Sequence, residues 1–246
     1  MESKIFIPPN NSRKGVAFKL LFFPLVNLPK SDRALHGNEH SSMTEMPHLQ
    51  NMEWDFAEGL SHITRGTTEA YYNYDGSGER VRKVVKKSGI TETRLYLGGF
   101  EIFRKKVGGN LELERETLHI MDFGRPITAK RNEEESNTKD EMSDEANGRR
   151  RIAVIETKTW ENSVSVTNST PLLRYQFDNH LGSATLELDE SANIISYEEY
   201  YPYGDTSYQA GRSISEVRQK RYRYTGKEKD DENGLYYLSA RYYSSM

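Results

Sequence analysis

A mainly β, antiparallel fold is what this sequence predicts, and three observations carry it. Strand-like runs of roughly six residues, rich in aromatic and β-branched side chains, alternate with Asp-, Asn- and Gly-containing bends at short intervals. The chain is only 35% apolar yet holds 16 Tyr and 9 Phe. Tyr buries a ring while keeping a polar tip in water, so a Tyr-rich sheet can be stable and still read as hydrophilic. The one stretch with a helical claim, "MPHLQNMEWDFAEGLSHI" (46–63), has a poor helical period and reads as irregular or strand-like.

Taken in order, residues 1–45 contain Pro and Asn and have no sustained period, which predicts an unstructured or loosely attached segment. "YYNYDGSGERVRKVV" (71–85) reads as strand, turn, strand. In Tyr74-Asp75-x-x-Gly78 the Asp caps a bend by bonding nearby backbone N–H groups, and Gly takes the positive-φ position. Alternation through "RVRKVVKK" (80–87) places Arg80, Arg82 and Val84 on one side, a charged strand face rather than a phosphate strip. "TRLYLGGFEIFRKK" (93–106) is the clearest hairpin, folded at Gly98-Gly99. That fold pairs Leu97 with Phe100 and Leu95 with Ile102 on an apolar face, and Tyr96 with Glu101 and Arg94 with Phe103 on a mixed one. "VGGNLELE" (107–114) supplies another turn, and "LHIMDF" (118–123) and "RIAVIETKTW" (151–160) read as the next two strands.

Between them, 130–150 has almost no apolar content and mixed charge, which predicts a solvated, disordered insert. After a Ser/Thr/Asn linker (162–170) the strands resume. "LLRYQF" leads into "DNHLG" (178–182), "SATLEL" into "DESAN", and "IISYEEYY" into "PYGD" (202–205). Phe177-Asp178-x-x-x-Gly182 repeats the aromatic-before-turn grammar of residues 74–78. Twelve of the 16 Tyr lie between 175 and 246, and "YRYTGKEKDDENGLYYLSARYY" (222–243) closes the chain with two aromatic runs around a "DDENG" bend. The division is therefore 1–45, 46–129, the insert 130–150, and 151–246. Units that cannot bury a face alone must stack on their neighbours, which predicts a curved, repetitive sheet.

Composition removes several functional classes. A formal charge of -3 provides no basic field for nucleic acid, and the absence of Cys excludes disulfide frameworks, thiol catalysis and Cys-ligated zinc. No run of 18 apolar residues exists, and "VAFKLLFFPLV" (16–26) is interrupted by Lys19 and Pro24 with no small-residue cleavage site after it, so it is not a convincing signal peptide. Asp230, Asp231 and Glu232 sit beside Asn233-Gly234 and lysines, and read as a solvated turn rather than a catalytic acid pair. His180 near Asp178 and Ser183 reads as a turn histidine, since a triad is a matter of geometry and not adjacency. His119 reads as a satisfied, half-buried strand histidine. Asp75–Glu79 and Asp189–Asn193 offer oxygens but match no calcium loop. No catalytic residue, metal or cofactor is expected.

"RYQFDNHLGSATLELDESANIISYEEYYPYGDTSY" (174–208), followed by "RYRYTGKEKDDENGLYYLSARYY" (221–243), resembles the RHS repeat-associated core domain of RHS/YD-repeat proteins. "YNYDGSGERVRKV" and "YLGGFEIFRK" match the segments just upstream. The likeness extends to the B/C components of bacterial insecticidal toxin complexes and to SpvB-like toxins. Its motif residues here are Tyr74, Asp75 and Gly78; Asp178, Asn179, His180 and Gly182; Tyr201, Pro202, Tyr203 and Gly204; and Gly226, Gly234, Tyr236, Tyr237, Arg241 and Tyr242. The resemblance implies an arc of antiparallel hairpins from a spiral, hollow shell that encloses a toxin effector, with 151–246 as the core domain. It also implies that the core's autoprotease aspartates would lie beyond "ARYY", past Ser244-Ser245-Met246.

Three readings follow. The favoured one is a structural shell fragment, not an enzyme as it stands, whose partner is the remaining RHS shell or toxin polypeptide. The others are an aspartyl autoprotease core completed by residues outside this chain, and a teneurin-like adhesion or carbohydrate-contacting surface. The sequence fixes no compartment or oligomeric state; the resemblance implies secretion as part of a toxin complex.

Overall fold

The structure, a computed structural model, describes residues 42–122, 150–213, 217, 220–239 and 241–245. All of them lie in the unit Leu35–Met246, and the second unit, Met1–Ala34, lies outside the described residues. The expected loose segment 1–45 and charged insert 130–150 fall outside them too, except for 42–45 and Arg150.

The strands are β1 (Asn51–Trp54), β2 (Leu60–Arg65), β3 (Thr68–Tyr74), β4 (Arg80–Lys87), β5 (Ile90–Leu97), β6 (Phe100–Val107), β7 (Asn110–Asp122), β8 (Arg150–Glu161), β9 (Val164–Ser165), β10 (Leu172–Asp178), β11 (Ala184–Leu188), β12 (Ile194–Tyr200) and β13 (Thr206–Gly211). They form one open antiparallel sheet in chain order, with β9 paired to β8 off the main path. A separate three-stranded sheet comprises β14 (Glu228–Lys229), β15 (Tyr236–Tyr237) and β16 (Tyr242–Tyr243). The stretch 46–63 is thus strand, turn, strand. Residues 110–114 and 118–122 of the two runs lie in one 13-residue strand, Asn110–Asp122, which pairs along its length with β8 from Leu113–Glu161 to Asp122–Arg150.

Five hairpins turn through the same five-residue bend. In Asp55–Gly59, Asp75–Glu79, Asn179–Ser183, Asp189–Asn193 and Tyr201–Asp205, the first N–H donates to the fifth carbonyl, at 2.8–3.0 Å. The fourth residue has positive φ in every copy: Glu58, Gly78, Gly182, Ala192 and Gly204. In the first four, the Oδ1 of the leading Asp or Asn accepts backbone N–H groups two and four residues on. The capping residue of the third copy is therefore Asn179, not Asp178 as the sequence grammar had it. Asp178 ends β10 and pairs with Arg150.

Each bend adjoins a register shift. Trp54 pairs with Leu60, Tyr74 with Arg80, Asp178 with Ala184, Leu188 with Ile194 and Tyr200 with Thr206. At two of the five bends a tyrosine just before the bend reaches back to the first residue of the preceding strand. Tyr74 Oη donates to Leu60 O at 2.7 Å, and Tyr200 Oη donates to Ala184 O at 2.8 Å.

The 93–106 hairpin has the expected register, Arg94–Phe103 through Leu97–Phe100. Which face is covered is the surprise, since a half-buried sheet usually hides its apolar face. Here Arg94 and Glu101, on the mixed face, are buried, while Leu97 is 59% exposed. The same holds across the sheet. One face, the inner face, carries Arg80, Lys83, Glu101, His119, Arg174 and Glu198, all buried, and all of these but Arg174 touch residues 220–230 of the C-terminal segment. The conventional apolar core lies at one end, where Leu49, Met52, Leu60, Ile63 and Tyr72 pack against Leu235.

Candidate functional site: a buried charge lattice under the C-terminal segment

Bulges decide which charges point inward. Between Asn73/Tyr74 and Arg80/Arg82 the register slips by one, leaving Val81 unpaired in the ladder. An extra residue reverses the alternation and re-aims a side chain. Arg80 consequently shares the inner face with Lys83, and Arg82 faces solvent, correcting the expected grouping of Arg80, Arg82 and Val84.

Arg80 is the centre of the lattice. Its Nη1 donates to Asp230 Oδ2 at 2.6 Å and its Nη2 to Glu228 Oε2 at 2.7 Å. Its guanidinium lies 4.3, 5.1 and 5.6 Å from the ring centroids of Tyr237, Tyr96 and Tyr72. Lys83 Nζ donates to Asp230 Oδ1 at 2.6 Å and sits 3.4 Å from Glu232. Glu228 also accepts from Arg221 Nη1 at 2.7 Å and Tyr96 Oη at 3.0 Å. Three carboxylates brought by the C-terminal segment thus meet Arg80, Lys83 and Arg221. The expected solvated turn at 230–232 is overturned: Asp230 is 0% exposed, the Glu232 side chain is 6% exposed, and only Asp231 faces water.

A second node is Glu101. It accepts from Arg94 Nη1 at 3.0 Å, Arg221 Nη2 at 2.5 Å and Tyr222 Oη at 2.5 Å, and lies 2.8 Å from His119 Nε2. A third is Glu198, held by Arg223 Nη1 at 2.9 Å, Lys220 Nζ at 3.2 Å and the Thr206 hydroxyl at 2.7 Å.

Burial pushes the Glu101 carboxyl up, but Arg221, His119 and Arg94 outweigh it and hold the group well below the usual carboxylate range. Glu228 behaves alike: burial raises it, and Lys83, Arg221 and Arg80 drive it far down. Burial lowers the Lys83 ammonium, and Asp230, Glu228 and Glu232 more than reverse that. Burial raises the Tyr72 hydroxyl, and Glu232 and Asp230 add to the rise. Glu101 and Glu228 are thus held ionised by their cations, whereas burial, with Asp230 adding to it, raises the Glu232 carboxyl against the pull of Lys83.

Some of the motif residues meet this seat: Tyr74, Tyr237 and Tyr242 directly, and Tyr236 through the 201–205 bend. Tyr237 Oη accepts the Arg80 backbone N–H at 2.8 Å, and the Tyr74 and Tyr242 hydroxyls lie 2.9 Å apart. Three successive carbonyls of the 201–205 bend each receive a hydroxyl: Pro202 O from Tyr224 at 2.7 Å, Tyr203 O from Tyr243 at 2.8 Å and Gly204 O from Tyr236 at 2.9 Å. Tyr201 and Arg241 are exposed, Gly226 and Gly234 have positive φ, and Arg241 offers its carbonyl to Leu238 N–H. His180 is exposed at a bend, Asp178 is paired with Arg150, and buried Ser183 Oγ accepts the Thr225 N–H at 3.0 Å, so these three form no triad. His119 is buried rather than half-exposed, and its Nδ1 has no partner. Among the described residues no group of three or more His, Asp or Glu is placed to hold a metal ion, and no helix is long and apolar enough to cross a membrane.

Sequence reasoning missed Arg80, Lys83, Glu101, Arg221 and Glu228 as site residues. The available signal was five charged residues inside strands or beside aromatic runs.

No protein-family model matches the chain. Over 204 residues, 79% of its length, it is 32% identical to toxin subunit YenC1 of Yersinia entomophaga, and over 188 residues 34% identical to YenC2 of the same organism. It spans 18% and 16% of those proteins. Over 69 residues it is 35% identical to the tRNA nuclease WapA of Bacillus subtilis, covering 3% of that protein. The crystal structure of TcdB2-TccC3 matches 81% of this chain with a TM-score of 0.61 at 27% identity, using 9% of that chain. The Photorhabdus luminescens Tc holotoxin pore matches 82% with a TM-score of 0.62 at 28% identity.

Proposed function

We propose that this chain, an RHS/YD-repeat protein similar to components of bacterial toxin complexes, is a structural segment of a toxin-enclosing shell that holds another polypeptide and does no chemistry of its own. One observation carries the reading: the C-terminal segment is clamped to the inner face of an open sheet by ion pairs of its buried Glu228 and Asp230 with Arg80, Lys83 and Arg221. Among the described residues the end strands of the open sheet, β1 and β13, pair with another strand on one side only, and Met52 N–H of β1 also donates to Thr44 O at 2.8 Å. Such edges accept further strands, and a protein that exposes them is suited to assembly. The named toxin subunits among its relatives are far longer, which supports a role as one part of a larger wall. Its partners are then the other polypeptides of a toxin complex, and its place of action is outside the producing cell.

Two measurements test this. Co-expression with a toxin-complex shell lacking the matching segment is expected to give co-elution and closed particles on size exclusion and electron microscopy. A folded chain eluting alone beside an open shell defeats the proposal. Intact mass of the purified chain is expected to stay constant over days, whereas a cleavage product abolished by Asp230→Asn would make it a protease.

A further inference from the structure

The two end strands of the sheet are finished differently. Along β1 the chain covers its own edge: Met52 N–H donates to Thr44 O and the Trp54 indole N–H donates to Met43 O, both at 2.8 Å. Along β13 no described residue bonds to the open side. One bond shows which main-chain groups face that side. Arg212 N–H donates to Ile195 O at 3.0 Å, continuing the register Tyr197–Ala210 and Glu199–Tyr208. In an antiparallel ladder such hydrogen-bonded pairs alternate with pairs whose main-chain groups point away. Ala210 and Tyr208 therefore bond to β12, and Gln209 turns its N–H and C=O to the open edge, as Gly211 does.

Sheets guard a bare edge with lysines, prolines, inward charges or a bulge that twists it away. β13 reads "TSYQAG", with no charged residue and no Pro. Its one irregularity lies at its start, beside the 201–205 bend. Ser207, Tyr208 and Gly211 are exposed. Nothing in this strand discourages a further strand from pairing with it.

We propose that two copies of the chain join β13 to β13, antiparallel, about a two-fold axis through Gln209, and so fuse their sheets into one. Three features favour a second copy as the occupant. The strand is uncharged, so pairing with itself sets no like charges opposite one another. The axis sets Gln209 against Gln209 of the second copy, and Gly211 against Ser207, which the register shift leaves out of the β12 ladder, so open main-chain groups meet open main-chain groups. It also sets Tyr208 opposite Ala210 of the second copy on the face away from the charge lattice, a large side chain against a small one. On that face the row Phe177, Leu186, Tyr197, Ala210 stops at β13, and the second copy's Tyr208 ring extends it. The pairing is independent of the shell role proposed above.

Strand pairing alone covers less than the roughly 1,200 Å² at which stable interfaces begin, so the dimer is sought by sedimentation equilibrium of the full chain over a rising concentration series. Reversible dimers are expected. Gln209→Pro removes an edge N–H and leaves the β12 ladder whole, and Pro is tolerated where the N–H faces away from the sheet. It is expected to weaken dimerisation at least about tenfold with the melting temperature nearly unchanged. The chain has no Cys, so single cysteines report the register. Residues opposite each other in a non-hydrogen-bonded pair have Cα atoms about 4.5 Å apart, within disulfide range. A mixture of Tyr208→Cys and Ala210→Cys chains is therefore expected to cross-link, under mild oxidation, mainly as the mixed disulfide. A chain that stays monomeric throughout the series ends the inference. So does a dimer that Gln209→Pro leaves intact, or homodisulfides as abundant as the mixed one. Association abolished by replacing Leu97, Leu118 and Phe177, but not by Gln209→Pro, belongs to the apolar face and rejects the edge. A monomer whose uptake into a toxin-complex shell is blocked by Gln209→Pro gives β13 to a foreign strand and rejects the second copy. Absence of the dimer with shell co-elution intact rejects the dimer alone.

Discussion

Arg80 does what a hydrophobic anchor does in most small sheets. It gathers two carboxylates and three tyrosine rings at one point and so fixes the C-terminal segment to β4. Removing one member of such a lattice strands the others in a dry place. Arg80→Met is expected to cost about 3–5 kcal/mol in urea unfolding, far more than an exposed arginine such as Arg82, whose loss should stay within about 0.5 kcal/mol. The lattice also fixes the pH range of stability. Glu101 and Glu228 are depressed in the fold, so their contribution is complete above the unfolded carboxylate range and is lost as pH falls through their lowered values. Tyr72, Tyr222 and Tyr242 are raised by burial, so the unfolded chain ionises first. Their contribution therefore fades as pH climbs past the ordinary tyrosine value. Melting temperature against pH should show a plateau with an acid limb starting near pH 4 and an alkaline limb starting near pH 10. A flat acid limb would mean that the carboxylates are not ionised as drawn.

At the scale of elements, the five-residue bend is the repeating device. Its fourth position tolerates Glu58 and Ala192 as well as three glycines, which separates conformational strain from crowding. Gly78, at φ 83°, has open space where a Cβ would go, whereas a Cβ on Gly204, at φ 87°, would meet Tyr224 Cδ1 at 2.5 Å. Gly78→Ala should cost about 1 kcal/mol and Gly204→Ala about 3 kcal/mol, because the second also displaces a ring that anchors the C-terminal segment. Denaturant midpoints for the pair decide it, and equal costs would mean the ring is free to move. This is also where the limits of sequence reading show. Register in 93–106 was legible because Gly98-Gly99 fixes the turn and alternation fixes the rest. The bend at 75–78 was legible because Asp and Gly stand at the diagnostic spacing. The cap at Asn179 was misplaced by one because an Asp precedes it, and the copy at Tyr201–Asp205 lacks a side-chain cap altogether. Bulges at Val81 and beside Arg115 carry no residue signature, so alternation assigned Arg80 and Arg82 to one face when only Arg80 is inside.

For the whole molecule the consequence is an inverted amphipathic sheet. Strand pairing lines up Leu97, Phe100, Leu118, Ile155 and Leu173 across β5–β10 on the face opposite the charge lattice. A second row runs Phe177, Leu186, Tyr197 and Ala210 across β10–β13. The inner face could not be recognised as the covered one from sequence, because what covers it is the chain's own charged C-terminal segment, whose acids match the strand cations only after folding. Water then meets apolar side chains that an ordinary sheet would hide: Leu97 is 59%, Phe177 51% and Tyr208 54% exposed. Contiguous apolar surface of this kind drives association, whereas the packing beneath the C-terminal segment is independent of it. Replacing Leu97, Leu118 and Phe177 together by Thr should therefore lower self-association in sedimentation velocity by about tenfold or more, with the melting temperature changed by only a few degrees. Thr preserves strand propensity, so the comparison isolates the exposed surface from the ladder. If the triple variant instead unfolds, those side chains are packed rather than exposed, and the inversion of the sheet, with the charge lattice as its buried side, is wrong.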